Sequence, residues 1–251
     1  MSVPLWRMGL AVFALGVLLS AAARADIRVH GATTVAFGLM TPQKSRIEQL
    51  ASVKLAILPS STGNGLTDLA QRRADIAMLA EPLASAAAAL NNKEPGTIDP
   101  DDYVATHVGD AWVEFIVHPS NPLQKLTGPQ LAALYSGQIK SWFELGGASQ
   151  SVLLVGEPTS SPYRLIREAL AVSYAPDMRA VQNTNQTAII VAQAPGALSN
   201  ISTAHDLPVR ARLKVLETEV KIPLRLYLAV RKDAPADVMR VVETAAAMGK
   251  P

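Results

Sequence analysis

The 251-residue sequence contains no cysteine, which excludes disulfide staples, thiolate metal centres and a lipid-modified amino-terminal cysteine. Charged residues make up 18% of it and aromatic residues 5%. With no basic run among them, a nucleic acid would find neither a cationic stripe nor a stacking platform. Beyond residue 25 no apolar run approaches the roughly 20 residues of a membrane-spanning helix. No G-x-S-x-G elbow and no P-loop occur, and His30, His107, His118 and His205 stand at no metal-binding spacing. No metal and no cofactor are therefore expected. A hydrolase using Ser60 or Ser160 with His118 stays open as a minor alternative, because nothing in the sequence orients such a triad.

What is present begins with a leader pattern. MSVPLWRMGLAVFALGVLLSAAARA carries Arg7 ahead of an apolar stretch from Met8 to Leu19, then Ala23 and Ala25 around Arg24. This is the form of a secretory signal peptide over residues 1–25, cleaved after Ala25. The alternative, an uncleaved anchor, needs a longer apolar core. Cleavage removes two arginines and no acid, so the formal charge of +2 falls to 0 from Asp26 onward. The expected product is a soluble, exported, periplasmic protein.

Along the rest of the chain short apolar strands alternate with helical patterns, which predicts an α/β protein with mainly parallel pairing. The patterns put strands at 27–30, 53–58, 75–79, 112–117, 152–155, 188–191 and 226–230. Helices are expected at 42–51, 65–73, 129–136, 163–173 and 235–248, with a further helix-forming run at Ser85–Leu90. Two stretches read as crossings between lobes: HPSNPL at His118–Leu123, with two prolines in a short turn, and the charged, irregular stretch His205–Pro223. They divide the mature chain into one lobe of residues 26–117 plus 212–251 and a second of residues 118–211, with a cleft that hinge motion can close on a ligand.

Three hydroxyl-rich turns stand where strands give way to helices: GATT (Gly31 to Thr34), SSTGNG (Ser60 to Gly65) and EPTSSPYR (Glu157 to Arg164). Each offers hydroxyls and unpaired backbone N–H groups at a helix start, where an anion is favoured. Taken singly, each turn is more readily an ordinary N-cap; three of one kind in a two-lobe layout make a coherent oxyanion site. Other features have plainer readings. Arg72 and Arg73 complement a helix C-terminus, Trp142 belongs to the core of the second lobe, and Asp101 and Asp102 are solvated.

These turns carry a family resemblance. GATT, then SSTGNGLTDLAQRRADIAMLAEPL, IVHPSNPLQKLTGPQLAALYSGQIKSWFELGG, GEPTSSPYRLIREAL and APGALSNIS together resemble the periplasmic phosphate-binding proteins of ABC importers, within the type II periplasmic binding protein superfamily. The resemblance implies a two-lobe fold with a ligand cleft between the lobes, a small anion such as phosphate as ligand, delivery to a membrane ABC permease, and a monomer with no catalytic role. By position it implies ligand contacts from Thr33 and Thr34, from Thr62 with the N–H of Gly63, and from Ser160 and Ser161.

The sequence departs from that family's pattern at three points. Ala80 stands where an aspartate usually accepts the ligand's proton, with Glu81 one place along; Gly156 stands where an arginine usually opens the third turn; and Pro162 removes an N–H donor. Losing a buried charged partner costs on the order of 2–5 kcal/mol. Arg164 is either the replacement cation or a surface charge. The departures leave a second functional reading: a periplasmic sensor or interaction module that keeps the fold and has lost tight anion binding.

Overall fold

The computed structural model describes residues 26–205 and 208–249; the leader expected over 1–25 lies outside the described residues. Among the described residues no helix is long and apolar enough to cross a membrane.

The first lobe is built on strands β1 (Ile27–Ala32), β2 (Leu55–Ser60) and β3 (Ile76–Leu79). β1 lies between the other two and runs parallel to both. β3 is buried along its whole length, as its unbroken apolar sequence IAML requires of a strand covered on both faces. Each strand hands over to a helix at its C-terminal end. α1 (Thr33–Val35) continues into a π-helical turn over Ala36–Met40, α3 spans Thr62–Ala70, and α4 spans Leu83–Asn91. α2 (Lys44–Ala51) precedes β2 and ends on Ser52 in the left-handed conformation.

β4 (Tyr103–Val117) is long enough to serve both lobes. Up to Trp112 it pairs antiparallel with β10 (Pro223–Arg231); from Val113 it pairs with β8 (Ala197–Ser202), and from Phe115 also with β9 (Lys214–Thr218), both antiparallel. The second lobe adds β5 (Lys125–Leu126), α5 (Gly128–Tyr135), β6 (Leu153–Gly156), α6 (Ser161–Leu170), β7 (Arg179–Ala180) and α7 (Thr184–Gln193). α8 (Ala236–Met248) follows β10. The strand order is β2-β1-β3-β10-β4-β8-β6-β7, with β9 beside β4 and β5.

Four expectations need correction. The run at 188–191 is not a strand but the middle of α7. Thr184, Thr187, Ala188, Val191 and Ala192 are its buried residues, at helical rather than alternating spacing, and Asn183 caps its start by accepting from the Gln186 N–H at 3.1 Å. Pairing is mixed rather than mainly parallel, because β4 and β10 carry the chain between lobes and run antiparallel to their neighbours. β4 begins nine residues before the expected position, since Tyr103–Ala111 alternates weakly in polarity. β8 and β9 fall in stretches that carry little apolar alternation. The remaining expected helices and strands occur with ends shifted by a few residues, and α3 starts early enough to put Thr62 and Gly63 in its first turn.

Trp142 is buried at 1% exposure and donates its indole N–H to the Gly196 carbonyl at 2.9 Å, inside the second lobe. Arg73 pairs with Asp68 and Arg72 with Asp233 near the end of α3.

Candidate functional site

β1, β2 and β6 end in turns that converge. Ala32, Thr33, Thr34, Ser60, Ser61 and Thr62 from the first lobe face Glu157, Ser160, Ser161 and Thr184 from the second, across a small cavity completed by Asn200, Ser202 and His205. Of the expected site residues, Thr33, Thr34, Thr62, Ser160 and Ser161 line this cavity. Gly63, Glu81 and Arg164 line an adjoining hollow of about 280 Å³, of which Thr62, Ser160 and Ser161 form the shared wall. Both compartments are built at helix starts, where the first backbone N–H groups have no intrahelical acceptor.

Close backbone packing sets the position of α3. A Cβ on Gly65 would stand 2.6 Å from the Gly31 Cα and 2.7 Å from the His30 carbonyl oxygen. Only glycine lets the helix approach β1 so nearly, and that approach carries Thr62 to the cleft floor. Ser61 caps α3 by accepting from the Asn64 N–H at 3.2 Å, and Ser160 caps α6 by accepting from the Tyr163 N–H at 3.2 Å. These two serines are therefore N-caps first; their hydroxyl hydrogens are still free to point at a ligand.

Polar side chains bridge the cleft directly. The Ala80 N–H donates to Thr62 Oγ1 at 3.1 Å, and Ser161 Oγ stands 2.8 Å from Thr62 Oγ1 and 2.7 Å from Glu81 Oε1. A hydroxyl has one hydrogen. Because the carboxylate can only accept, Ser161 donates to Glu81 and Thr62 donates to Ser161. Arg164 closes the chain with an ion pair to Glu81 and a second bond, at 2.7 Å, to Glu168. On the other side of the cavity Thr33 Oγ1 meets Thr184 Oγ1 at 3.2 Å. The lobes are closed upon each other. About 20 Å³ is left for water-sized occupants, room for one or two waters, so an anion with four oxygens enters only if these pairs separate.

The charges around the cavity are arranged in an unusual way. Among the described residues no lysine or arginine lines it. Glu157 sits in it and accepts from Thr187 at 3.0 Å and Thr184 at 3.4 Å; burial raises its carboxyl above the ordinary range, and the two hydroxyls only partly oppose this. His205 is 3% exposed and neither ring nitrogen has a hydrogen-bond partner. Burial holds its imidazole down at about 4, and the Thr33 backbone opposes that only in part. Ser60 Oγ is likewise buried without a partner.

The departures noted in the sequence have local causes. A Cβ at Gly156 would meet Met178 Sδ at 2.6 Å, so a longer side chain there requires Met178 to move. Ala80 is buried and contributes its N–H, while Glu81 takes the cross-cleft contacts. His118, the alternative catalytic partner, bonds Ser120 at 2.8 Å in an exposed turn and does not line the cleft.

The cleft also contains residues that the sequence reading passed over. Thr184 was hidden by reading its helix as a strand, although the Asn183 cap before an apolar run was a usable signal. Glu157 lay within a turn already singled out. Asn200, Ser202 and His205 depend on where β8 ends, which no local pattern marks.

Comparison with known proteins follows the same geometry. The description "PBP superfamily domain" matches residues 19–246. The chain belongs to this superfamily. Among curated relatives of this PBP chain, the phosphate-binding protein PstS of Bacillus subtilis (strain 168) is 27% identical over 115 residues, which covers 45% of this chain and 38% of that protein. The alignment thus spans well under half of the relative's length. Among solved structures, a protein described as a phosphate ABC transporter substrate-binding protein, with bound phosphate, from Clostridium perfringens has a TM-score of 0.74. It is 15% identical, over 87% of this chain and 92% of that one. The effector binding domain of QuiR in complex with shikimate has a TM-score of 0.64 at 16% identity, over 90% and 97% of the two chains. At these identities the likeness is one of fold, the two-lobe type II binding protein fold.

Proposed function

We propose that this protein is an exported solute-binding protein that takes a small oxyanion, phosphate foremost, into the cleft between its lobes and delivers it to a membrane ABC permease. One observation carries the reading: hydroxyl-bearing helix starts from both lobes meet around one cavity. Thr33, Thr34, Thr62, Ser160 and Ser161, with the Gly63 N–H, would replace the water around the anion, and lobe closure would exclude the rest. The relatives named for phosphate binding support that ligand class. Signal-peptide export, a periplasmic location and a monomeric state belong to the same proposal. So do the lobe bounds, expected at 118 and 212 and proposed here nearer Val113 and Ile222, where β4 changes partner and the Val113 N–H meets the Ile222 carbonyl.

A second reading is favoured by a specific feature: Glu81, Ser161, Thr62 and Arg164 satisfy one another across the cleft without a ligand. A sensor or interaction module that has given up tight anion binding would look the same. A thermal-shift series with phosphate, sulfate, molybdate and small carboxylates separates the two. One clear stabiliser is expected under the first reading; no response to any of them assigns the fold to the second.

A further inference from the structure

The inner cavity combines a need for positive charge with a residue able to supply it. Among the described residues an oxyanion entering there meets hydroxyls, backbone N–H groups and the Glu157 carboxyl, but no permanent cation. Desolvating an anion beside a carboxylate without a counter-charge is unfavourable. Among the described residues His205 is the one lining side chain that can become cationic. It stands at the end of the segment leaving β8, with its ring 6.0 Å from that of Phe37 and both nitrogens unpartnered beside the cavity. A buried imidazole with no partner costs free energy that a ligand accepting its hydrogen bond would return.

We propose that His205 is a ligand contact and that its ring takes up a proton as the oxyanion enters, so that the cation missing from the cleft is made on binding. The inference rests on the oxyanion reading above and adds to it a binding residue and a coupling to pH. Among the described residues the ionisable groups around His205 are few. Glu157 lies across the cavity, and Arg210 donates to the His205 carbonyl at 3.5 Å while paired with Glu114. The Arg210 charge, like burial, disfavours imidazolium in the empty cleft; an anion against the ring reverses the balance.

The sign follows from linkage. Above the ring's pKa in the complex neither state is protonated, and below about 4 both are. Between these limits binding takes up a proton, and affinity falls about tenfold for each unit rise in pH. Glu157 is the competing proton acceptor, since an anion beside it would also favour its neutral form.

The test is titration calorimetry of the mature protein with inorganic phosphate, at about pH 5 to 8, in buffers of different ionisation heat. The unmodified protein, His205→Gln and Glu157→Gln are compared, so that phosphate's own titration cancels. Near the acid end the unmodified protein should take up close to one proton per phosphate more than His205→Gln. Uptake unchanged in His205→Gln, or lost in Glu157→Gln instead, overturns the assignment. The ring resonances of His205, followed by NMR in the unmodified protein, guard against a folding defect: phosphate should raise their midpoint by about two units or more, and no movement counts against the proposal. If no oxyanion binds the unmodified protein at all, the oxyanion reading itself fails; if phosphate binds with no histidine-dependent proton, only this inference does.

Discussion

Replacing Thr62 by valine removes one hydroxyl at nearly constant shape. Thr62 is 3% exposed and its oxygen does two jobs: it accepts the Ala80 N–H at 3.1 Å and bonds Ser161 across the cleft at 2.8 Å. Without it a buried N–H loses its acceptor, which costs about 1–3 kcal/mol. Ser161 keeps Glu81 as acceptor, so the second bond adds at most about 1 kcal/mol. The sum, about 1–4 kcal/mol, corresponds to a fall in melting temperature of about 2–16 °C for a chain of this size. Urea and thermal unfolding of Thr62→Val beside Thr62→Ser read it directly, the serine variant keeping the hydroxyl and losing only a methyl group. Affinity for phosphate should also fall tenfold or more in the valine variant. If Thr62→Val unfolds within about 0.5 kcal/mol of the unmodified protein, the hydroxyl bridge does not hold the lobes and the reasoning is wrong.

Further outcomes follow from neighbouring groups. Glu81→Ala removes the acceptor of Ser161 and one partner of Arg164; because Arg164 is 23% exposed and retains Glu168, the loss should be about 1–2 kcal/mol. Small-angle scattering should show a wider mean lobe separation for that variant. Gly65→Ala gains about 1 kcal/mol of helix propensity but drives a Cβ into the Gly31 and His30 backbone. Overpacking of about 1–3 kcal/mol or more should win, so denaturation should show a net loss; a stabilised variant would mean that α3 can retreat from β1. His205 is held neutral in the folded chain at about 4 against an ordinary 6.5, so the unfolded chain binds the extra proton. Stability from this group is therefore full above about pH 6.5 and declines by about 3 kcal/mol as pH falls to about 4. Urea midpoints across that window should show the slope in the unmodified protein and a shallower one in His205→Gln.

Much of the architecture was legible because its signals are local. Thr127, Gly128 and Pro129 announce α5, and the capping box between Thr127 and Gln130 forms as that pattern requires. The apolar runs of β1, β3 and β6 are short and bounded by turn residues, as expected of buried strands. The run TAIIVAQ fits either a buried strand or a helix, and only its burial at helical spacing decides for α7. The crossings were harder still. β4 changes partner in mid-strand, between Trp112 and Val113, and neither residue differs in kind from its neighbours. The same contrast runs through the site. The hydroxyl turns could be found because small polar residues at a strand-to-helix junction have a physical meaning wherever they occur. The contact of Glu81 with Ser161, and the approach of His205 to the same cavity, join residues far apart in the chain and depend on how the lobes meet.

The central claim is that helix starts from the two lobes surround a small oxyanion. It is met most directly by the crystal structure of the mature protein grown with saturating phosphate. Tetrahedral density is expected between Thr33, Thr62, Ser161 and Thr184, with the Thr62–Ser161 and Thr33–Thr184 contacts drawn apart to admit it. An unchanged, ligand-free cleft under those conditions, or phosphate seated only elsewhere on the surface, would contradict it.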